Sequence, residues 1–292
     1  MNFSSIESKL KKGKIPLAVC MPEEPDVILA AAEAAELGVV ETILVGKREK
    51  IESVIRNHSP GFKAEIVDIE NDELAAKKCV ELVKEGRAKA LMKGTVSTPV
   101  FLKAILNSET GIKKGALLSH VLIFEWKGRF RFLTDGGMVP HPTLAEKKEI
   151  LNNVLWLAHS YGFEKPRVAI LSAVETVNEK MQSTLDAAVL SKMGERKQFG
   201  SCIVDGPLAL DNAISKEAAH HKGIFNDVAG EAEILICPDI DTGNVLGKSI
   251  LYFTDCRSGG LLIGAQVPVV MLSRSDTKQV RLDSIKLALA AG

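Results

Sequence analysis

The chain has no excess charge of either sign: lysine plus arginine, and aspartate plus glutamate, each number 37 among 292 residues. No overall field draws it toward nucleic acid or an acidic membrane, so any anion site must be local. Long apolar runs are also missing. Met1 to Glu7 lacks the apolar stretch of a signal peptide, and no later run approaches the roughly 20 apolar residues that span a bilayer. A cytoplasmic protein without membrane attachment is expected. There are five dispersed cysteines (Cys20, Cys79, Cys202, Cys237 and Cys256), without Cys-x-x-Cys or metal-ligand spacing, which reads as reduced core residues. The motifs His-Glu-x-x-His, Gly-x-Ser-x-Gly and Gly-x-Gly-x-x-Gly are absent, removing the simplest zinc-hydrolase, serine-hydrolase and dinucleotide-fingerprint readings.

What is present is 46% hydrophobic residues, enough for a full core in one large or two medium domains. Short apolar runs alternate with amphipathic stretches nearly throughout, the pattern of parallel sheets covered by helices. Strands are expected at Leu17–Cys20, Thr42–Val45, Glu65–Ile69 and Ala88–Met92, with helices at Val27–Leu37, Lys47–Asn57, Leu74–Glu85 and Phe101–Leu106. Leu117–Trp126 and Arg129–Thr134, joined by Lys127-Gly128, read as a hairpin. The breaker cluster Asp135–Pro142 is where a domain crossing is expected. A helix over Thr143–His159 then opens a second αβ series, and the chain ends on strands near Leu261–Ile263 and Val267–Leu272 and a helix near Leu282–Ala290.

Four loops after apolar runs combine glycine, hydroxyl or amide groups with charge, where ligands of open α/β sheets bind. They are Lys93–Thr98, Asp205–Asn212, Thr242–Asn244 with Lys248, and Ser273–Lys278. In the third, a strand is expected to pass through a turn at Gly243 into a helix bearing Lys248 and Ser249, exposing N–H groups to an anion. It is not a P-loop, because Gly243 and Gly247 enclose three residues instead of four. For each loop, a turn with a helix cap accounts for the residues equally well, with Asp205, Asp211, Ser273 and Asp276 satisfying backbone donors. Arg274, just past an apolar strand, could hold a phosphate through two parallel hydrogen bonds. Asp205 and Asp211 could each serve as a base or metal ligand. His141, between two prolines, and His220-His221, on a charged helix, read as structural and solvated.

Leu91–Gly94 with Thr98, Thr134–Gly137, Pro140–Thr143, Met181–Ala188, Val204–Ile214, Gly243-Asn244 with Lys248-Ser249, and Leu272–Arg274 together resemble the phosphate acetyl/butyryl transferase family. The resemblance spans nearly the whole chain and is closest to the phosphate butyryltransferase branch. It implies reversible transfer of a short acyl group, butyryl or acetyl, between coenzyme A and inorganic phosphate to give acyl phosphate. It also implies no tightly bound cofactor and no metal, with coenzyme A as a substrate, and a homo-oligomer. The implied fold is α/β, two αβα domains with a cleft between them, similar to isocitrate and isopropylmalate dehydrogenases. Residues 1–142 with 266–292 would form one domain and 143–265 the other. The family's serine and arginine carry over to Ser273 and Arg274, with Asp276 as the candidate base, although the spacing to an aspartate departs from the acetyl branch and Asp283 also lies beyond the pair. Substrate-binding candidates are Lys93, Gly94, Thr95, Thr98, Asp211, Gly243, Asn244 and Lys248. Without the resemblance, the loops suit equally a metal- and NAD-dependent hydroxy-acid dehydrogenase, with Asp205, Asp211 and Asp239 as ligands, or a non-catalytic phosphoanion or coenzyme A binding protein.

Overall fold

A computed structural model describes residues 1–10, 14–273 and 276–292. Two compact units emerge. A terminal unit comprises Phe3–Ala116 and Arg257–Gly292, and a central unit comprises Leu117–Cys256 with Met1–Asn2.

In the terminal unit α1 (Phe3–Leu10) precedes an alternating series: β1 (Ile15–Cys20), α2 (Pro25–Glu36), β2 (Val40–Gly46), α3 (Arg48–His58), β3 (Glu65–Asp68), α4 (Asp72–Lys84), β4 (Ala90–Lys93) and α5 (Thr98–Leu106). The central unit follows with β5 (Ser119–Trp126), β6 (Arg129–Thr134), α6 (Leu144–Ser160), β7 (Arg167–Leu171), α7 (Gln182–Glu195), β8 (Ile203–Leu208), α8 (Leu210–Ile214), α9 (Lys216–His221), β9 (Ile234–Ile236) and α10 (Ile240–Phe253). The chain then returns to the terminal unit as β10 (Ser258–Ile263), β11 (Val269–Val270) and α11 (Lys278–Ala291).

Local chemistry sets many of these boundaries. Pro25 and Pro99 sit in the first turns of α2 and α5, where a missing N–H costs nothing. Asn71 caps α4 by accepting the Leu74 N–H, and Thr143 and Glu146 form a reciprocal capping box at α6. Lys127 (φ 50°) and Gly128 (φ 73°) make the tight two-residue turn of the β5–β6 hairpin.

Strand order in the terminal unit is β3-β2-β1-β4-β11-β10, parallel except where β10 meets β11. Cys20 pairs with Lys93, and Val270 with Met92, so β1, β4 and β11 end level. In the central unit the order is β5-β6-β9-β7-β8, parallel beyond the β5–β6 hairpin. Thr134 pairs with Ile236, and Ile236 with Ile170, so β6, β9 and β7 also end level. Leu122, Phe124, Leu133, Ala169, Leu171 and Leu235 lie in a buried cluster of the central unit.

This division differs from the one expected. The Asp135–Pro142 cluster lies within the central unit, because β6 pairs in parallel with β9 and carries the hairpin with it. The return to the terminal unit comes at Arg257, ahead of Gln266, because β10 pairs with β11 at Leu262 and Val269.

Candidate functional site

The carboxyl edge of the central sheet opens on a cavity of about 1130 Å³. The segments following β6, β7, β8 and β9 all contribute to it, as expected for a parallel sheet. Its apolar wall includes Leu171, Met181, Leu210 and Leu246, and Ser172, Ser183, Thr242 and Ser249 supply hydroxyls. Two charged side chains in the wall are themselves buried. Lys147 of α6 donates to Asp186 of α7 over 2.7 Å, with each side chain 6% exposed. Gln182 donates to the other Asp186 oxygen at 2.8 Å. The ammonium can donate three hydrogen bonds, and this is the one it makes among the described residues.

Asp239 also lines the cavity and accepts the Thr242 N–H at 2.8 Å, capping α10. Burial opposes its charge, but the Thr242 N–H and hydroxyl, with His141 and Lys147 nearby, outweigh it and hold the pKa below the ordinary 3.8. The titratable lining is thus one lysine against two carboxylates, with His141 beside them.

Ahead of the His141–Lys147 part of the lining, the loop from Thr134 to Gly137 is held from within. Asp135, 2% exposed, accepts N–H groups of Gly137, Met138 and Val139 at 2.7, 3.0 and 3.1 Å. Burial still raises its pKa above the ordinary 3.8, because desolvation exceeds what these bonds return.

The turn expected at Gly243 needs correction. There is no turn at Gly243: α10 begins at Ile240, one turn earlier, because Asp239 captures the Thr242 N–H. Gly243 lies inside the helix, its N–H bonded to the Asp239 carbonyl at 3.1 Å. Its lack of a side chain serves packing, since a Cβ there would stand 2.1 Å from the Asp135 carbonyl oxygen. Asn244 donates to the Gly136 carbonyl at 3.0 Å. Lys248 is exposed with its Nζ 5.8 Å from the Tyr252 ring centre. Of this helix, Thr242, Val245, Leu246 and Ser249 face the cavity.

Asp211 is exposed and pairs with Lys222 at 3.3 Å, on a surface network that includes Glu175. Asp205 accepts from Asn226 at 2.7 Å and from Ser191 at 3.3 Å. With Asp239 spent on its cap, these three aspartates each have a separate partner. Among the described residues no group of three or more His, Cys, Asp or Glu side chains could hold a metal ion.

The terminal unit brings together the segments after β1, β4 and β11. Gly94 donates to the Cys20 carbonyl at 2.8 Å, and a Cβ at Gly94 would stand 2.2 Å from the Met21 carbonyl oxygen. Thr95 bonds Met21 through both its N–H (2.8 Å) and hydroxyl (3.0 Å). Lys93 Nζ donates to the carbonyls of Gly94 and Val96 at 3.0 and 2.9 Å. Thr98 is half-buried at the first position of α5. Beyond β11, the Ser273 N–H donates to Asp276 at 2.7 Å, and the Asp276 N–H to the Ser273 carbonyl at 3.2 Å. Arg274 lies outside the described residues. Asp283 is fully buried against Arg257, on the face shared with Glu7 and Lys286.

Sequence reasoning overlooked Lys147, Asp186 and Arg281. The first two lie inside or beside stretches that carried the family resemblance, Pro140–Thr143 and Met181–Ala188. Arg281 had no such flag: charged residues on a C-terminal helix ordinarily read as solvated, yet it is 4% exposed.

The sequence pattern described as phosphate acetyl/butaryl transferase matches residues 74–289. A phosphate butyryltransferase of Clostridium acetobutylicum is 45% identical, over 100% of this chain and 98% of that protein. A solved branched-chain phosphotransacylase from Enterococcus faecalis V583 has a TM-score of 0.86 at 32% identity, over 95% of this chain and 98% of the other. The likeness to 4-hydroxythreonine-4-phosphate dehydrogenase from Klebsiella pneumoniae, TM-score 0.61 at 10% identity over 96% of this chain and all of that one, is one of fold alone. On the extent of these matches, the chain belongs to the phosphate acetyl/butyryl transferase family and is an enzyme, a phosphate acyltransferase.

Proposed function

We propose that this phosphate acyltransferase, which moves an acyl group reversibly between coenzyme A and inorganic phosphate, favours a butyryl-sized group. The observation that carries this reading is the 45% identity to a phosphate butyryltransferase across the whole chain. In the forward direction a phosphate oxygen attacks the thioester carbonyl, a C–O bond forms, the C–S bond breaks, and the thiolate leaves and takes up a proton. In reverse the thiolate attacks acyl phosphate.

Deprotonation is the smaller part of the problem. A thiol with a cysteine-like pKa near 8.5 is about 3% thiolate at pH 7, so complete ionisation supplies about 2 kcal/mol. Holding the reactants together supplies about 7 kcal/mol or more, and donors aimed at the developing oxyanion about 3. We assign Arg274 to the phosphate and Ser273 to the oxyanion or the thiol. Asp276 is the candidate base, and its bond to the Ser273 N–H also fixes the serine's backbone. Lys93 and Thr98 would flank the anionic groups, with Gly94 and Thr95 shaping their loop.

The central cavity suits the uncharged part of the thioester, its amide-bearing arm and acyl chain. One lysine against two carboxylates repels a phosphate, while apolar walls and unspent Lys147 protons accept methylenes and amide carbonyls. Gly243 and Asn244 fit a role in holding the Thr134–Gly137 loop, and Asp211 and Lys248 fit solvated surface roles.

Acyl-CoAs of increasing chain length, assayed with phosphate for free thiol, test the reading. The expected kcat/KM peaks at butyryl-CoA, with acetyl-CoA at least about tenfold lower, since a methylene is worth about 1–3 kcal/mol. Equal or better turnover of acetyl-CoA overturns the chain-length assignment. Ser273→Ala and Arg274→Ala are each expected to lower kcat/KM about hundredfold or more; near-normal turnover in both removes their assigned roles.

A further inference from the structure

Arg281 lies in the first turn of α11, eight residues beyond Ser273, and is 4% exposed. Among the described residues its guanidinium makes one hydrogen bond, from Nη2 to the Ser273 carbonyl at 3.4 Å. Its Nε is buried with no hydrogen-bond partner, and it makes no ion pair among the described residues. The nearby Glu33 carboxylate is engaged by Lys278 at 2.7 Å, and Asp276 is engaged by the Ser273 N–H. A guanidinium cannot escape its burial by losing a proton, so it needs a counter-charge.

Arg131 is the other described arginine with a buried, unpartnered Nε, and the contrast is instructive. It lies 5.6 Å from the Trp126 ring centre and feels the charge of Glu233. Arg281 stacks on no ring and makes no ion pair among the described residues. Its position is also different, beside the segment following β11, where β4 and β11 end level.

We propose that Arg281 binds phosphoryl oxygens of inorganic phosphate or acyl phosphate, the missing counter-charge being the substrate itself. This rests on the acyl-transfer reading and adds a second guanidinium to the role assigned to Arg274. An Arg–phosphate pair is planar, charge-assisted and geometrically selective, so Lys is a poor replacement.

The test compares wild type with Arg281→Met and Arg281→Lys, using butyryl-CoA and inorganic phosphate. Arg281→Met is expected to raise the KM for phosphate at least about tenfold, with the KM for butyryl-CoA changed less than about twofold. In phosphate-free buffer its unfolding midpoint should equal or exceed that of wild type, because an uncompensated buried charge has been removed. Added phosphate should raise the wild-type midpoint and have little effect on the variant. Arg281→Lys should fall between them in phosphate KM. An unchanged phosphate KM in Arg281→Met overturns the proposal. So does a lower midpoint together with a rise in both KM values, the signature of a purely structural arginine. If wild type releases no thiol from butyryl-CoA and phosphate, the acyl-transfer reading fails, while the phosphate-dependent midpoint shift still decides whether Arg281 binds the anion.

Discussion

The two units end their parallel sheets alike but treat charge oppositely. At the central edge, a large cavity is lined by one lysine and two carboxylates, and the lysine is already paired. At the terminal edge, Glu23 is paired with Lys50 and Asp276 accepts the Ser273 N–H, while the buried Arg281 makes no ion pair among the described residues. The first surroundings favour a neutral, amide-bearing ligand and the second an anion. Acyl transfer to phosphate needs one of each. Helix starts and glycine loops occur at both edges, and what separates them is whether the buried cation has a carboxylate partner.

The sharpest way to break this comparison is to remove one member of the buried central pair. Asp186→Leu leaves the Lys147 ammonium buried without its partner, at an expected cost of about 3–5 kcal/mol in unfolding free energy. Replacing both, as Lys147→Met with Asp186→Leu, should restore most of that stability, since the charges and their desolvation vanish together. The double variant should nevertheless show a higher KM for butyryl-CoA with the KM for phosphate little altered. Urea unfolding of the three proteins with steady-state kinetics of the double variant measures both. A phosphate KM that rises more than the butyryl-CoA KM would reverse the assignment of the two edges.

A smaller effect is expected from a methyl group placed at the tightest backbone contact in each unit. In Gly243→Ala the new Cβ meets the Asp135 carbonyl oxygen, and in Gly94→Ala it meets that of Met21. Backbone neighbours cannot rotate aside as a side chain can, so each change should cost about 3 kcal/mol. Denaturant midpoints check the cost, and kinetics sharpen the contrast. Gly243→Ala should act mainly on the butyryl-CoA KM, by displacing the loop that leads to His141 and Thr143. Gly94→Ala should act mainly on the phosphate KM, by displacing Lys93 and Thr95. Identical kinetic effects would mean that the edges do not divide the substrates.

Much of the fold was legible because its signals are short-ranged. The Lys127-Gly128 turn, Pro99 in the first turn of α5, and the Thr143–Glu146 box each act within a few residues. Gly243 was misread by the same kind of reasoning, because a glycine suggests a turn until Asp239, four residues earlier, is recognised as the cap. The unit boundary at Arg257 depends on the pairing of Leu262 with Val269, a tertiary fact. The site was less legible for the same reason. Lys147 and Asp186 are 39 residues apart, and nothing local tells a helical lysine that it will be buried. Arg281 likewise stands out only once its burial and missing partner are known.

The smallest expected effect lies in the pH dependence of stability, where the two units should respond with opposite sign. In the central unit, burial raises the Asp135 pKa above 3.8. The folded protein therefore holds that proton more tightly than the unfolded chain, and stability falls as pH rises from 3.8 through the folded value. In the terminal unit, burial alone would raise the Glu7 pKa, but hydrogen bonds from Lys286 and Arg257 prevail and hold it below 4.5. Its contribution is present above 4.5 and is lost as pH falls through the lower folded value. A tenfold difference in proton affinity for a buried group corresponds to about 1.4 kcal/mol, so the slopes will be modest. Unfolding free energies of wild type, Asp135→Asn and Glu7→Gln between about pH 3 and 6 provide the measurement. The advantage of wild type over Asp135→Asn should grow toward low pH, and its advantage over Glu7→Gln toward high pH. Slopes of the same sign would show that the backbone N–H groups around Asp135 stabilise its charge more than burial penalises it, making the Thr134–Gly137 loop an anion-stabilising structure after all.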